Sequence, residues 1–261
     1  YSTINNYKRS LRASFYIAIQ DDYVRKNPFD FQLNTVIDDD TVPKTILTLE
    51  QEARLLDFAK SDTVYHKNYD EILILLKTGL RISELCGMTV TDLDFENHLI
   101  LVNHQLLRNT ELGYYIETPK TKSSERQVPM VEVTCQALKR VLAVQNQNEC
   151  VEIDGYSNFL FLNRNGYPKT ACDFNSILRN LIKKYNKCHE EKLPHITPHT
   201  LRHTFCTNCA NAGMNPKALQ YIMGHANITM TLNYYAHATC NSAMEEMKRL
   251  EKEQQARCLV L

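Results

Sequence analysis

Apolar residues recur at mostly helical spacings between residues 4 and 27. Ile4, Tyr7, Leu11, Phe15, Ala18, Ile19 and Tyr23 are interleaved with Lys8, Arg9 and Arg12. This pattern predicts an amphipathic helix, stopped at Asn27-Pro28 because a residue before proline is pushed out of the helical region. Residues 29–43, with Asp38-Asp39-Asp40 and a Thr-Val-Pro sequence, have little periodicity and read as a linker. A domain boundary near residue 43 follows, giving segments 1–43 and 44–261. Thr48 followed by Gln51 has capping-box spacing and opens a helix to about Lys60. Another spans about Asn68 to Lys77 and ends at Gly79, and a short one begins at Ile82. The texture changes after Asp92. Residues 99–102, 114–116 and 127–128 are short β-type runs separated by turn residues, which predicts a small antiparallel sheet. Helical patterns return at 131–147, 171–185, 198–212, 216–223 and 228–235, and a charged helix at about 241–257 closes the chain. The predicted class is mostly α with a small antiparallel β-sheet, an α+β fold.

Composition narrows the function classes. Hydrophobic residues at 43% and charged residues at 23% fit a soluble globular chain. No apolar run approaches the roughly 18–20 residues of a membrane span, and no signal-peptide pattern opens the sequence. A cytoplasmic protein is expected, without a membrane partner. The chain begins at Tyr1 rather than Met, so a piece of a longer protein is expected. Formal net charge is zero, but distribution matters more than the sum. From His199 to Tyr235 there is no Asp or Glu, while Arg202, Lys217 and three histidines lie there. One region is thus hospitable to an anion. Nine cysteines at irregular spacing read as free thiols of a reducing compartment. Cys206 and Cys209 have the CxxC spacing, but no second pair completes a zinc site. On a helix the two share a face, so thiols turned toward the core are the expected reading.

Singly, the polar residues are ambiguous. His199 and Arg202 could sit on a solvated helix face, Arg81 could be a surface residue, and His225 after Gly224 could be a helix cap. Together they make a set: two arginines, a lysine in a β-turn, several histidines and the pair Tyr234-Tyr235. There is no carboxylate-rich metal cluster and no glycine-rich phosphate loop. Arginine forks and imidazole donors suit a phosphodiester whose charge no metal neutralises, and a tyrosine hydroxyl can act as its nucleophile.

At these residues the sequence resembles the tyrosine recombinases, specifically the integrases of conjugative transposons and phages. The resemblance rests on T-G-L-R-I-S-E-L at 78–85, T-K-S-S-E-R-Q-V-P at 121–129, T-P-H-T-L-R-H-T-F at 197–205, and M-G-H followed by N-Y-Y-A-H at 223–237. These four motifs stand in the family's order, and the match covers roughly residues 44 to 240. The resemblance implies site-specific cleavage and rejoining of double-stranded DNA through a 3′-phosphotyrosine, without cofactor or metal. By motif, Arg81 and Arg202 would clamp the scissile phosphate, while His199 and His225 add hydrogen bonds. Lys122 would protonate the departing 5′ oxygen, with Lys120 its competitor. Glu84, one helical turn from Arg81, would buttress that arginine. Tyr235 fits the family's tyrosine, one residue, then histidine, with His237 following, and is expected to be the nucleophile in preference to Tyr234.

Residues 26–29 resemble the end of the family's helical core-binding domain, and an arm-binding domain upstream is implied. The implied partners are recombination sites on DNA, further copies of the chain (a dimer to tetramer) docked through the C-terminal helix, and an accessory excision factor. The runners-up are a resolvase or topoisomerase-like enzyme and a non-catalytic DNA-binding module that keeps the fold.

Overall fold

In the computed structural model, which describes residues 1–40, 45–118, 125–144, 151–235, 247 and 251, the chain forms two compact units, Tyr1–Lys44 and Thr45–Leu261. The first is built on helix α1 (Ser2–Gln20). This helix stops earlier than Asn27-Pro28 because Asp22 turns into the left-handed region at φ 57°. The N–H groups of Tyr23 and Val24 then fold back onto the carbonyl of Ala18. Asn27 fastens the following turn, donating to the Arg12 carbonyl and accepting from the Phe29 N–H.

The second unit grows around a helix whose middle is an unbroken apolar run. Thr48 caps α2 (Leu49–Ser61) through a reciprocal pair with Gln51. Helix α3 (Tyr69–Thr78) carries Ile72 to Leu76 without interruption, and all five are buried. Five successive apolar residues point in every direction around a helix, so this stretch must be enclosed. Here α2, α5 (Glu132–Val144) and α7 (Pro198–Asn211) pack against it. Between them lie α4 (Ile82–Gly87) and α6 (Ala171–Cys188), followed by α8 (Pro216–Met223) and α9 (Ile228–Leu232).

The β-element consists of two pieces rather than the one sheet expected. Strands β1 (Leu93–Asp94), β2 (Leu99–Val102) and β5 (Arg126–Pro129) form an antiparallel sheet in the order β1-β2-β5. Strands β3 (Gln105–Asn109) and β4 (Gly113–Glu117) form a separate hairpin. The break falls at His104, a buried imidazole whose Nε2 meets the Gly87 carbonyl at 2.7 Å. That bond pins the chain to the end of α4 and diverts it from the first sheet.

The helix predicted at 228–235 is also trimmed. Helix α9 ends at Leu232, and the N–H groups of Tyr234 and Tyr235 bond back to Thr231 and Leu232. Both tyrosines therefore sit in tight i→i+3 turns and not on a continuing helix. Of the segment 241–257 only Met247 and Glu251 lie among the described residues, both helical and exposed. Lys120, Lys122 and His237 lie outside them.

Gly79 caps α3 at φ 63°, and a β-carbon there would lie 2.3 Å from Phe205 Cδ1 and 3.1 Å from Met223 Sδ. We expect Gly79→Ala to lose about 2–4 kcal/mol of unfolding free energy, from left-handed strain and overpacking together. Urea denaturation followed by circular dichroism measures it. A variant as stable as the parent would show that this contact relaxes at no cost.

Candidate active site

The C-terminal end of α8 presents three successive carbonyls that its own helix leaves without partners. Each receives an arginine from a different element. Arg126 Nε, on β5, donates to the Ile222 carbonyl at 2.7 Å. Arg202, on α7, donates to the Met223 carbonyl at 2.5 Å and to that of Gly79 at 2.5 Å. Arg81, at the start of α4, donates to the Gly224 carbonyl at 2.7 Å. Gly224 stands at φ 60°, and a β-carbon on it would be 3.0 Å from the Arg126 guanidinium. The turn is left-handed so that this approach is possible.

One carboxylate holds two of these arginines together. Glu84 accepts both arms of Arg126 at 2.9 Å, and it accepts the Arg81 guanidinium at 2.7 Å and the Arg81 N–H at 2.8 Å. Burial pushes its pKa up, but Arg126 and then Arg81 outweigh that and lower it to about 2. Arg202 is 5% exposed, and burial followed by repulsion from Arg81 lowers its pKa to about 10. Three guanidiniums thus gather in one cluster with a single buried carboxylate, which bonds two of them. The excess positive charge makes an anion site, since Arg81 keeps a third of its side chain (33%) open to solvent.

His225 follows Gly224 into this cluster. It is buried, its Nδ1 lies 3.0 Å from Thr231 Oγ1, and its N–H and carbonyl are both tied to Gln220. Burial, then the charges of Arg202 and Arg81, lower its pKa to about 4. It is therefore a neutral imidazole near pH 7. His199, exposed in the first turn of α7, stacks on His203 one turn later with ring centroids 5.8 Å apart. His203 Nδ1 in turn makes a short hydrogen bond with the Tyr234 hydroxyl. Burial and then Cys206 raise the Tyr234 pKa to about 12, with Arg202 opposing. Tyr235 points elsewhere: its hydroxyl donates to the Met214 carbonyl at 2.6 Å, beside Cys206 and Cys209. Those two thiols pack with Ala210, Leu219 and Met223 in a small apolar cluster.

Of the residues expected from the sequence, the structure brings Arg81, Glu84, Arg202 and His225 into one cluster and continues it toward His199 through His203. It leaves the Tyr235 hydroxyl on Met214. Three participants were not singled out from the sequence: Arg126, His203 as the partner of Tyr234, and the carbonyls of residues 222–224. Arg126 had a readable signal. It shares the buried face of β5 with Val128, and a charge on the buried face of a strand calls for a partner. The carbonyls had none, because backbone groups carry no sequence signature.

Residues 45–242 match the phage integrase family. The chain is 75% identical over 260 residues to the transposase from transposon Tn916 of Enterococcus faecalis, covering 100% of this chain and 64% of that protein. The chain thus spans about 64% of the length of such relatives. It is 27% identical over 237 residues to the tyrosine recombinase XerC of Bacillus licheniformis, covering 91% of this chain and 70% of that one. Among solved structures, the Tn1549 transposon integrase in complex with a circular intermediate DNA superposes with a TM-score of 0.91 at 64% identity, covering 96% of this chain and 79% of that one. The XerA recombinase, 24% identical with a TM-score of 0.56 over 95% of this chain and 82% of its own, shares the fold.

The cluster has a pH signature. Unfolded, His225 takes up a proton near pH 6.5, whereas in the folded chain it resists protonation until about 4. The unfolded state binds more protons in that window, so stability falls as pH drops from about 6.5 to 4. Glu84, held at about 2, adds a second loss between about 4.5 and 2. Thermal melts by circular dichroism across these ranges should show both declines. His225→Gln should flatten the first decline, and an unchanged slope in that variant would assign it to another group.

Proposed function

The chain belongs to the phage integrase family, and on that premise we propose that it is a DNA breaking-rejoining enzyme, a tyrosine recombinase that integrates and excises a mobile element such as a conjugative transposon. The observation that carries this reading is the cluster of Arg81, Arg126 and Arg202 around Glu84, with neutral His225 at its edge and Arg81 open to solvent. A scissile phosphate fits that charge excess. The guanidiniums of Arg81 and Arg202 and the imidazoles of His199 and His225 would donate to its non-bridging oxygens. Each such donor is worth about 2.7–4 kcal/mol to a developing oxyanion.

In the proposed step the Tyr235 oxygen attacks phosphorus, the bond to the 5′ oxygen breaks, and a 3′-phosphotyrosine forms. The tyrosine proton leaves, and Lys122 supplies one to the 5′ oxygen, which departs as a hydroxyl. A positioned acid contributes roughly 10²–10⁴-fold. Reversal with a second strand's 5′ hydroxyl restores the backbone, so no high-energy cofactor is consumed.

The nucleophile has two readings. The bond between Tyr234 and His203, beside Arg202, favours Tyr234. The pattern of Tyr235-Ala236-His237 favours Tyr235. So does a spacing: the solved Tn1549 integrases carry an Arg→Lys change in one case and a Tyr→Phe change in another, separated by the same number of positions as Arg81 and Tyr235. We take Tyr235, whose hydroxyl must leave the Met214 carbonyl to reach a phosphate. Catalytic contacts often tighten only when substrate is bound.

Partners follow from the same reading. The Tn1549 integrase was solved with circular intermediate DNA and with transposon right end DNA, and double-stranded recombination sites are the proposed substrate here. Residues 1–43 would be the end of a core-binding domain, and 44–261 the catalytic domain. The segment 241–257, with Met244, Met247 and Leu250 as an apolar stripe, would dock copies on DNA as a dimer to tetramer. An accessory excision factor and a bacterial cytoplasmic location complete the proposal. Among the described residues no helix is long and apolar enough to cross a membrane.

A suicide DNA substrate that traps the covalent intermediate tests the function. Tyr235→Phe should abolish the SDS-resistant adduct with DNA binding retained, whereas Tyr234→Phe should still form it. If Tyr234→Phe is the dead variant, the register moves by one residue. Arg81→Lys keeps the charge but loses the fork. It should retain DNA in gel shifts and lose cleavage by roughly 10²-fold or more. Near-normal cleavage by that variant would remove Arg81 from the phosphate clamp.

A further inference from the structure

The turn between β1 and β2 and the first turn of α5 bring together three metal-ligating side chains, none of which belongs to the arginine cluster. His98 stands in the turn at φ 55°, an uncommon conformation for a residue with a side chain. Its carbonyl accepts from the Met130 N–H at 2.7 Å, which fixes the turn against the end of β5. Its Nδ1 lies 3.1 Å from the sulfur of Cys135. Glu132, three residues before Cys135, is on the same face of α5. The imidazole nitrogen, a Glu132 carboxylate oxygen and the Cys135 sulfur all lie within 4.8 Å of one another.

We propose that His98, Glu132 and Cys135 form a binding site for a Zn²⁺-class divalent cation that staples the β1–β2 turn to the start of α5. The donor set is one sulfur, one nitrogen and one oxygen, which a borderline-soft cation accepts together and which hard Mg²⁺ or Ca²⁺ does not favour. The spacing suits it as well. Bonds of about 2.0–2.3 Å in a tetrahedron place donor atoms roughly 3.3–3.7 Å apart, so the trio needs only small side-chain adjustments. One Glu132 oxygen accepts from Gln136 Nε2 at 3.0 Å, a bond that orients the carboxylate in the manner of an outer-shell partner. Cys135 is buried, while His98 and Glu132 are exposed. The fourth position therefore faces solvent and would hold water. The cation would sit at one end of β5, whose other end carries Arg126. Its expected effect is on the stability of this sheet and not on the chemistry at the phosphate.

The test is titration of the metal-free full chain with Co²⁺ under a non-thiol reductant. One equivalent should produce a thiolate-to-cobalt charge-transfer band with the intense visible bands of four-coordination, and Zn²⁺ should displace it and raise the melting temperature. His98→Gly suits the left-handed turn and leaves the core untouched. It should weaken binding roughly tenfold or more, as should Glu132→Gln on the exposed helix start. Cys135→Ser, where it folds, should lose the charge-transfer band. Absence of that band at millimolar Co²⁺ would overturn the proposal. So would a band of parental affinity in His98→Gly, which would place the metal on other thiols such as Cys206 and Cys209.

Discussion

The unit Thr45–Leu261 is organised by the Glu84 carboxylate. Two buried or partly buried guanidiniums repel each other, and burial alone is costly for any ion. Glu84 offsets both costs by accepting a bidentate fork from Arg126 and a third bond from Arg81. What remains of the positive charge is met by backbone oxygens at the negative end of α8. No single element could supply this arrangement. Helices α4, α7 and α8 and strand β5 all end or cross at it, so the packing around α3 that sets their positions also sets the site.

The same economy explains why the cluster favours an anion. Three guanidiniums gather with a single carboxylate that bonds two of them, and the neutral His225 adds a dipole without adding charge. Arg202 and Arg126 are held by carbonyls and carboxylate deep in the fold, while Arg81 reaches the surface. The buried pair act as a fixed field, and the exposed member is the one an arriving anion would meet first. Donors fixed in advance cost little reorganisation as charge develops on a reacting group.

The tyrosines stand apart from this rigidity. They follow a helix of five residues, in turns secured by single hydrogen bonds. Tyr234 is tied to His203 and Tyr235 to a carbonyl of the turn before α8. Neither bond is part of the arginine cluster. Under the proposed function, a tyrosine attached by one such bond would be free to move to substrate, whereas the arginines, each tied by several bonds, would stay in place.

Much of this was legible in the chain. Helical periodicity, the Thr48 cap and the unbroken apolar run of α3 follow from local physics, and they located most helices to within a few residues. The four motifs identified the family and pointed to Arg81, Glu84, Arg202 and His225, because side-chain chemistry is written in residue types. Other features depended on distant contacts. The sheet divides in two because His104 is drawn to Gly87, seventeen residues away. Arg126 becomes a partner of Glu84 only when β5 is laid beside α4. The carbonyls of residues 222–224 acquire their role from the left-handed turn at Gly224 and the arginines aimed at them. His98 meets Cys135 only where a turn and a helix start are packed side by side. Sequence determined which groups were available and which local elements they rode on. Tertiary structure decided which of them share a charge, because electrostatic pairing depends on separation in space and on burial, and neither is encoded at any one position.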